Sequence, residues 1–130
     1  MQGIRLALGG ALPVAAGAAA HHAPAIFDQT RTIVVEGTVT EFVWQNPHSW
    51  IRMDVVEDDG TMRNWSIEMN PPTYLIRGGW KSTTLTRGDR ISVVANPLRS
   101  GDEPAGKFVA VTLPDGRVLG EAEAVLGERE

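Results

Sequence analysis

The sequence predicts an all-β domain, a small barrel of five strands with one short helix between the third and fourth. Three observations predict it: apolar residues recur at every second position in several segments, turn-forming residues separate those segments, and the chain of 130 residues has the length of one domain. Hydrophobic residues at 42% and charged residues at 22% are typical of a folded globular chain. The composition therefore excludes collagen, coiled coils and polytopic membrane proteins.

The first strand is predicted from Thr32 to Trp44 and contains a change of phase. Its apolar residues alternate up to Val39, after which the pattern slips by one residue to Phe42. Such a slip moves side chains to the other face of a strand, and an internal glycine, here Gly37, often accompanies a bulge or a sharp bend. We therefore expect a bulged, strongly coiled strand, as in small barrels.

The second and third strands are predicted to form a hairpin. Ser49–Glu57 and Met62–Met69 both alternate, and Asp58-Asp59-Gly60 between them is a turn signal. The side chains expected to face the core are Ile51, Met53, Val55, Trp65, Ile67 and Met69.

A short helix at Thr73–Arg77 follows, because an asparagine cap with proline at the first helical position starts helices. Trp80 is expected to plug one end of the core. Two further strands, Arg90–Asn96 and Lys107–Leu113, and a short return at Arg117–Leu119 complete the chain order. Three strands, a short helix and two strands are the order of the five-stranded Greek-key barrel called the OB-fold, with an open β-sandwich as the alternative.

The first twenty residues predict a secretory signal peptide. They hold one charge, Arg5, then a small-residue apolar run that ends in three alanines. The alternatives are a weakly hydrophobic N-terminal anchor or an internal helix. We expect removal on export to a bacterial periplasm or the medium, which divides the chain into a signal peptide (1–20), an N-terminal leader (21–31), an OB-like barrel (32–119) and an acidic tail (120–130). No later stretch is expected to span a membrane.

Histidines are the candidate metal ligands. The chain has no cysteine, which excludes disulfides, a catalytic thiol and thiolate metal sites. His21 and His22 fall at the predicted cleavage point, where a new amine and a nearby imidazole suit Cu(II), and His48 lies in the loop between the first two strands. We therefore expect copper as the possible cofactor. The alternatives are that His21 and His22 are polar leader residues and that His48 fixes a tight turn.

The methionines at strand spacing are more typical of core residues than of thioether ligands for Cu(I). They are Met53, Met62 and Met69.

An aromatic surface supplies the rival hypothesis. Trp44, Asn46, Trp50 and Tyr74 are candidate ligand-binding residues of a protein- or glycan-interaction module, in which the histidines have no role. The formal net charge of -4 and the absence of a basic stripe argue against nucleic acid as a partner. The sequence contains no serine-protease-like order, phosphate-binding glycine loop or His-x-x-x-His motif, which favours a binding domain over an enzyme. Metalloenzyme chemistry at an open histidine site is the third, less favoured alternative, because no carboxylate is evidently placed as a base.

Five blocks together resemble a family of small exported bacterial proteins of unknown function. They are His21-His22 after a signal peptide, Gly37-Thr38-Val39-Thr40, Trp44-Gln45-Asn46-Pro47-His48, Arg77-Gly78-Gly79-Trp80 and Gly88-Asp89. The resemblance implies an exported β-domain and brings no reaction or ligand with it. A periplasmic binding domain that captures copper is the hypothesis that the residues favour.

Overall fold

The computed structural model describes residues 25–127. The predicted signal peptide and both N-terminal histidines lie outside the described residues. The elements in chain order are β1 (Ile33–Val43), β2 (Trp50–Val56), β3 (Met62–Glu68), α1 (Pro72–Arg77), β4 (Arg90–Pro97), β5 (Ala105–Thr112), β6 (Val118–Gly120) and α2 (Ala122–Gly127).

The strands form a closed barrel. Their order is β3-β2-β1-β4-β5-β6, and the parallel pairing of β3 with β5 joins the two sides of the sheet. β1 to β5 therefore form a five-stranded Greek-key barrel with the chain order of an OB-fold, and β6 adds a sixth strand beside β5. The predicted fold class is confirmed.

β1 bends as it passes from one neighbour to the other. Its first half pairs with β4 and its second half with β2, and Thr38 has partners in both. The register with β2 shifts between Val39 and Glu41, at the predicted slip. Gly37 is buried just before the bend, where the absence of a side chain leaves room for the Asp54 carbonyl.

One apolar core fills the barrel. All six hairpin side chains predicted to face inward belong to it or pack against it. Trp80 is buried at one end, with its ring 5.7 Å from that of Phe42 and 5.5 Å from that of Phe108 between centroids. The tryptophan after α1 thus closes the core as predicted.

A second, smaller apolar cluster lies outside the barrel. α2 buries Val125 with Val94 of β4 and Ala110 of β5. The sequence predicts a frayed or weakly helical tail from residue 120; the structure has an ordered helix there because Val94, on the strand face away from the core, offers it an apolar surface. Neither helix in residues 25–127 is long and apolar enough to cross a membrane.

Candidate metal centre

A cleft of about 470 Å³ lies at the end of the barrel where the β1–β2 loop meets the end of β3. We call it the His48 cleft. The residues lining it are Ala25, Ile26, Phe27, Gln29, His48, Glu68, Met69, Asn70 and Lys107. It therefore brings together a predicted ligand, a carboxylate, a lysine and the first described residues of the chain.

His48 is held by one ring nitrogen and leaves the other available. Its Nδ1 lies 3.1 Å from the main-chain oxygen of Met69. A carbonyl oxygen only accepts hydrogen bonds, so Nδ1 carries the hydrogen, and in the neutral ring the lone pair is on Nε2. Metal-binding histidines have this arrangement, in which the distal N–H is bonded to a carbonyl or carboxylate. The expected turn-fixing bond is thus made to Met69, the residue after β3, instead of within the loop itself.

Glu68 is the residue that sequence reasoning missed. Its Oε1 lies 3.7 Å from His48 Nε2, and the two side chains are 23% and 46% exposed. A signal for it was present in the hairpin: alternation around the turn at Asp59 sets Trp50 opposite Glu68, as observed, and so places the end of β3 beside the loop that carries His48.

The N-terminal residues 25–31 form a strap beside the cleft. Phe27 is buried and forms an isolated β-bridge with Leu98, and the Arg99 side chain donates a hydrogen bond of 2.7 Å to the main-chain oxygen of Ala25. At the other end of the strap, the Asn96 side chain donates a hydrogen bond of 2.8 Å to the Arg31 oxygen. The strap is therefore fixed to β4 and the start of the β4–β5 loop, with its first residues at the cleft.

His21 and His22, the other two predicted ligands, lie outside the described residues. Within residues 25–127 no group of three or more histidine, aspartate and glutamate side chains converges on a common point. Among the described residues, His48 and Glu68 are thus a pair rather than a complete metal site.

The structure distributes the predicted aromatic surface over several places. Trp44 lies half-buried in a groove of about 420 Å³ beside Ile76 and Trp80. Tyr74 is exposed on α1, and Trp50 is on the outer face of β2 next to Glu68 of β3. The fourth residue, Asn46, is exposed in the β1–β2 loop. The Trp44 groove joins one of these residues to an apolar depression.

Carboxylates in the turns have their own structural roles. The pKa of Asp59 is lowered because the Thr61 hydroxyl and amide donate hydrogen bonds to it, and Asp28 in the strap is paired with Thr30 in the same way. These two carboxylates belong to turns rather than to the cleft.

The comparisons with known proteins place the chain in a family. The family of unknown function (DUF6152) matches residues 10–107, about three quarters of the sequence. The chain belongs to this family. The predicted resemblance to a family of unknown function is confirmed, whereas its individual motifs, the signal peptide, the division into segments and the compartment stay predictions. The matched range ends near the start of β5, so β6 and α2 come after it in the chain. No curated protein matches the sequence.

One solved structure with the same kind of barrel is the mitochondrial single-stranded DNA binding protein Rim1 from S. cerevisiae. Rim1 is 12% identical to this chain, the match covers 64% of this chain and 92% of Rim1, and the TM-score is 0.45. The prediction of no nucleic-acid partner is corrected by this finding, since a single-stranded DNA binding protein has a similar barrel. A net charge summed over a chain does not describe the charge at one surface, which is what a ligand meets. The likeness assigns no ligand to this family member.

Proposed function

We propose that this protein is an exported binding domain that captures Cu(II) in the His48 cleft. The observation that carries the proposal is the paired geometry of His48 and Glu68, with one histidine nitrogen fixed by a carbonyl and the other facing a carboxylate 3.7 Å away. In this proposal His21 and His22, which precede the described residues in the sequence, supply the remaining donors.

The pair suits a cation. A lone pair on Nε2 and a carboxylate oxygen repel each other unless a proton or a metal ion lies between them. Metal–nitrogen and metal–oxygen bonds of about 2.0–2.2 Å separate two adjacent donors by about 3 to 3.5 Å. The observed 3.7 Å is close to that separation. Because the His48 side chain is nearly half exposed, a small movement of its ring closes the difference.

Copper is the metal that these donors favour. Imidazole, amine and carboxylate donors bind Cu(II) more tightly than the other divalent first-row ions. Cleavage after Ala20 gives His21 a free amine beside its imidazole, while cleavage one or two residues earlier puts a histidine at mature position 3, a square-planar Cu(II) arrangement. The terminus that begins with His21 adds two nitrogen donors to the His48 pair, whereas a terminus with histidine at position 3 holds Cu(II) with its own four nitrogens; dependence of binding on His48 therefore distinguishes the two.

The test uses the protein purified after export, with its first residue established by mass spectrometry. We expect one equivalent of Cu(II) to bind with a dissociation constant below about 1 µM. His48→Gln keeps a polar amide side chain in the exposed loop but removes the metal-binding nitrogen, so it should weaken binding while leaving the fold intact. Glu68→Gln should weaken it as well, and His21→Ala with His22→Ala should weaken it most.

Glu41→Gln is the matched control for Glu68→Gln. Glu41 is an exposed carboxylate on β1 that faces Arg52, away from the residues that line the cleft. Its substitution should leave Cu(II) binding unchanged. Absence of an equivalent of tight Cu(II), or equal affinity of the wild type and His48→Gln, would contradict the proposal.

The Trp44 groove supports a second candidate, an interaction module for an apolar protein segment. Ile76 lines this groove and is 59% exposed. Binding of a purified partner that is lost in Ile76→Ser and kept in His48→Gln would favour this function over metal capture.

A further inference from the structure

We propose that the Trp44 groove binds an acidic protein segment that inserts one apolar side chain. The proposal rests on the second candidate function, an interaction module, and adds the charge of its partner. It does not depend on metal binding in the His48 cleft, because other residues line that cleft. Three features of the groove support it: an apolar lining, an unbalanced positive charge and an exposed apolar side chain.

Aromatic side chains form much of the apolar lining. Trp80 is buried, Trp44 is half-buried, and both line the groove. The Phe42 ring contacts both of them, with its centroid 5.8 Å from that of Trp44 and 5.7 Å from that of Trp80. Since packing against the core fixes these rings, the groove is formed before a partner arrives. A partner that covers the exposed Ile76 side chain then gains free energy from its burial.

The groove carries a positive charge that no carboxylate balances. Lys81 lines it, whereas no aspartate or glutamate does. Among residues 25–127, neither Lys81 nor Arg77, which follows Ile76 in α1, has a carboxylate within 4 Å. The segment from Asn70 to Gly88 has three positively charged residues and no acidic one, although the whole chain has a net charge of -4. This part of an acidic protein is therefore positive.

Three other depressions in the described part of the chain have balanced charges. Each is lined by one glutamate and one positively charged residue. The pairs are Glu68 with Lys107, Glu36 with Arg90, and Glu103 with Arg99. An anionic partner is therefore attracted to the Trp44 groove more strongly than to these three depressions.

The shape of the groove favours a side chain presented by a protein. Its volume of about 420 Å³ lies at the lower end of the range for ligand pockets, and Ile76 in its lining is mostly exposed. A small molecule would stay largely in contact with water here, whereas pockets for small molecules bury most of their ligand. A protein segment can place one apolar side chain over Ile76 and acidic neighbours beside Lys81.

A membrane surface fits this groove less well. Binding to a bilayer uses several apolar side chains that are exposed on one face. Among the residues lining the groove, Ile76 is the one large apolar residue that is exposed.

The charge of Lys81 can be removed without disturbing the fold, because hydrogen bonds hold its backbone. Its amide donates a hydrogen bond of 2.8 Å to the Thr84 hydroxyl, and the Thr84 amide donates one of 3.0 Å to the Lys81 carbonyl. The Lys81 residue is exposed. Lys81→Gln should therefore keep the turn and change only the charge beside the groove.

The experiment selects binders of the immobilised protein from a library of random dodecapeptides displayed on phage, without added metal. We expect the selected peptides to be enriched in aspartate and glutamate next to a large apolar residue. A selected peptide is then synthesised with a fluorescent label and titrated by anisotropy. It should bind Ile76→Ser about tenfold more weakly than the wild type, and Lys81→Gln about two- to fivefold more weakly.

Rising salt concentration should weaken binding to the wild type more than binding to Lys81→Gln, because salt screens the charge that the variant lacks. Lys107→Gln is the matched control. It removes a lysine that lines the His48 cleft instead of the groove, and it should bind the peptide as the wild type does.

Three results overturn the proposal and are distinguishable. If no selected peptide depends on Ile76, the second candidate function and this proposal fail together. If Ile76-dependent peptides have no excess of acidic residues, or bind Lys81→Gln as tightly as the wild type, the interaction module stands and only the charge of its partner is wrong. If the peptides fail but the wild type, unlike Ile76→Ser, sediments with phosphatidylglycerol vesicles, the groove binds a membrane surface instead.

Discussion

Replacing Gly37 by alanine should be among the most damaging single-methyl additions in the barrel. A Cβ at this position would overlap the Asp54 carbonyl oxygen, lie 3.0 Å from the carbonyl carbon and lie 3.1 Å from a methyl group of Val55. The obstacle is backbone of the neighbouring strand, which cannot turn aside as a side chain can. Overpacking of this kind costs up to about 3 kcal/mol of the free energy of unfolding, and more where the backbone must move. For a domain of this size that lowers the melting temperature by roughly 12–24 °C.

Gly60→Ala is the informative control. Gly60, in the β2–β3 turn, has a φ of 86°, which disfavours alanine, but its surroundings are open. Strain alone costs about 1–2 kcal/mol there. Urea denaturation followed by far-ultraviolet circular dichroism should therefore rank Gly37→Ala as the less stable variant. A Gly37→Ala protein within about 1 kcal/mol of the wild type, or more stable than Gly60→Ala, would refute the close-approach argument.

Three further predictions concern the core, the strap and a turn. Trp80→Ala should lower the free energy of unfolding by about 3–5 kcal/mol in the same urea assay, because a buried indole between two phenylalanine rings is lost. Phe27→Ala should loosen the strap and speed hydrogen exchange of the Arg99 main-chain amide, which donates a hydrogen bond to the Ile26 oxygen in the strap. Unchanged exchange would mean that the strap does not depend on the Phe27 ring. Because the pKa of Asp59 is lowered in the folded state, its carboxylate stabilises the fold at pH values above its ordinary pKa of 3.8, and this contribution is lost as the pH falls through the folded-state pKa. Thr61→Val should raise the pKa of Asp59 in an NMR titration. An unaltered pKa would count against the Thr61 hydroxyl as the main cause of the shift.

Local pattern was enough to predict the elements. Alternation in Ser49–Glu57 and Met62–Met69 with a turn between them predicted the hairpin, and the slip before Phe42 predicted the register shift of β1. These features depend on neighbours a few residues apart, and the burial of one strand face fixes them. The helix at Val125 was underestimated, because its stability comes from an apolar surface on β4 and β5 that only the folded sheet provides.

The candidate site, too, could be predicted only in part from the sequence. Histidine is recognisable as a ligand from its chemistry, so His48 was a candidate from the sequence alone. Glu68 resembled any polar residue on the outer face of a strand, and its part in the cleft could be seen only after β3 was set beside the loop that carries His48.

The sequence by itself determined the order of the strands along the chain and the absence of thiol donors. Only the tertiary structure decided that β3 pairs with β5 and that the strap lines the His48 cleft. It also decided that the Met69 carbonyl accepts a hydrogen bond from His48 while the Met69 side chain lies in the core. Composition and local pattern are properties of the chain, whereas closure and the shape of a cleft arise from contacts between residues far apart in it, which no local preference encodes.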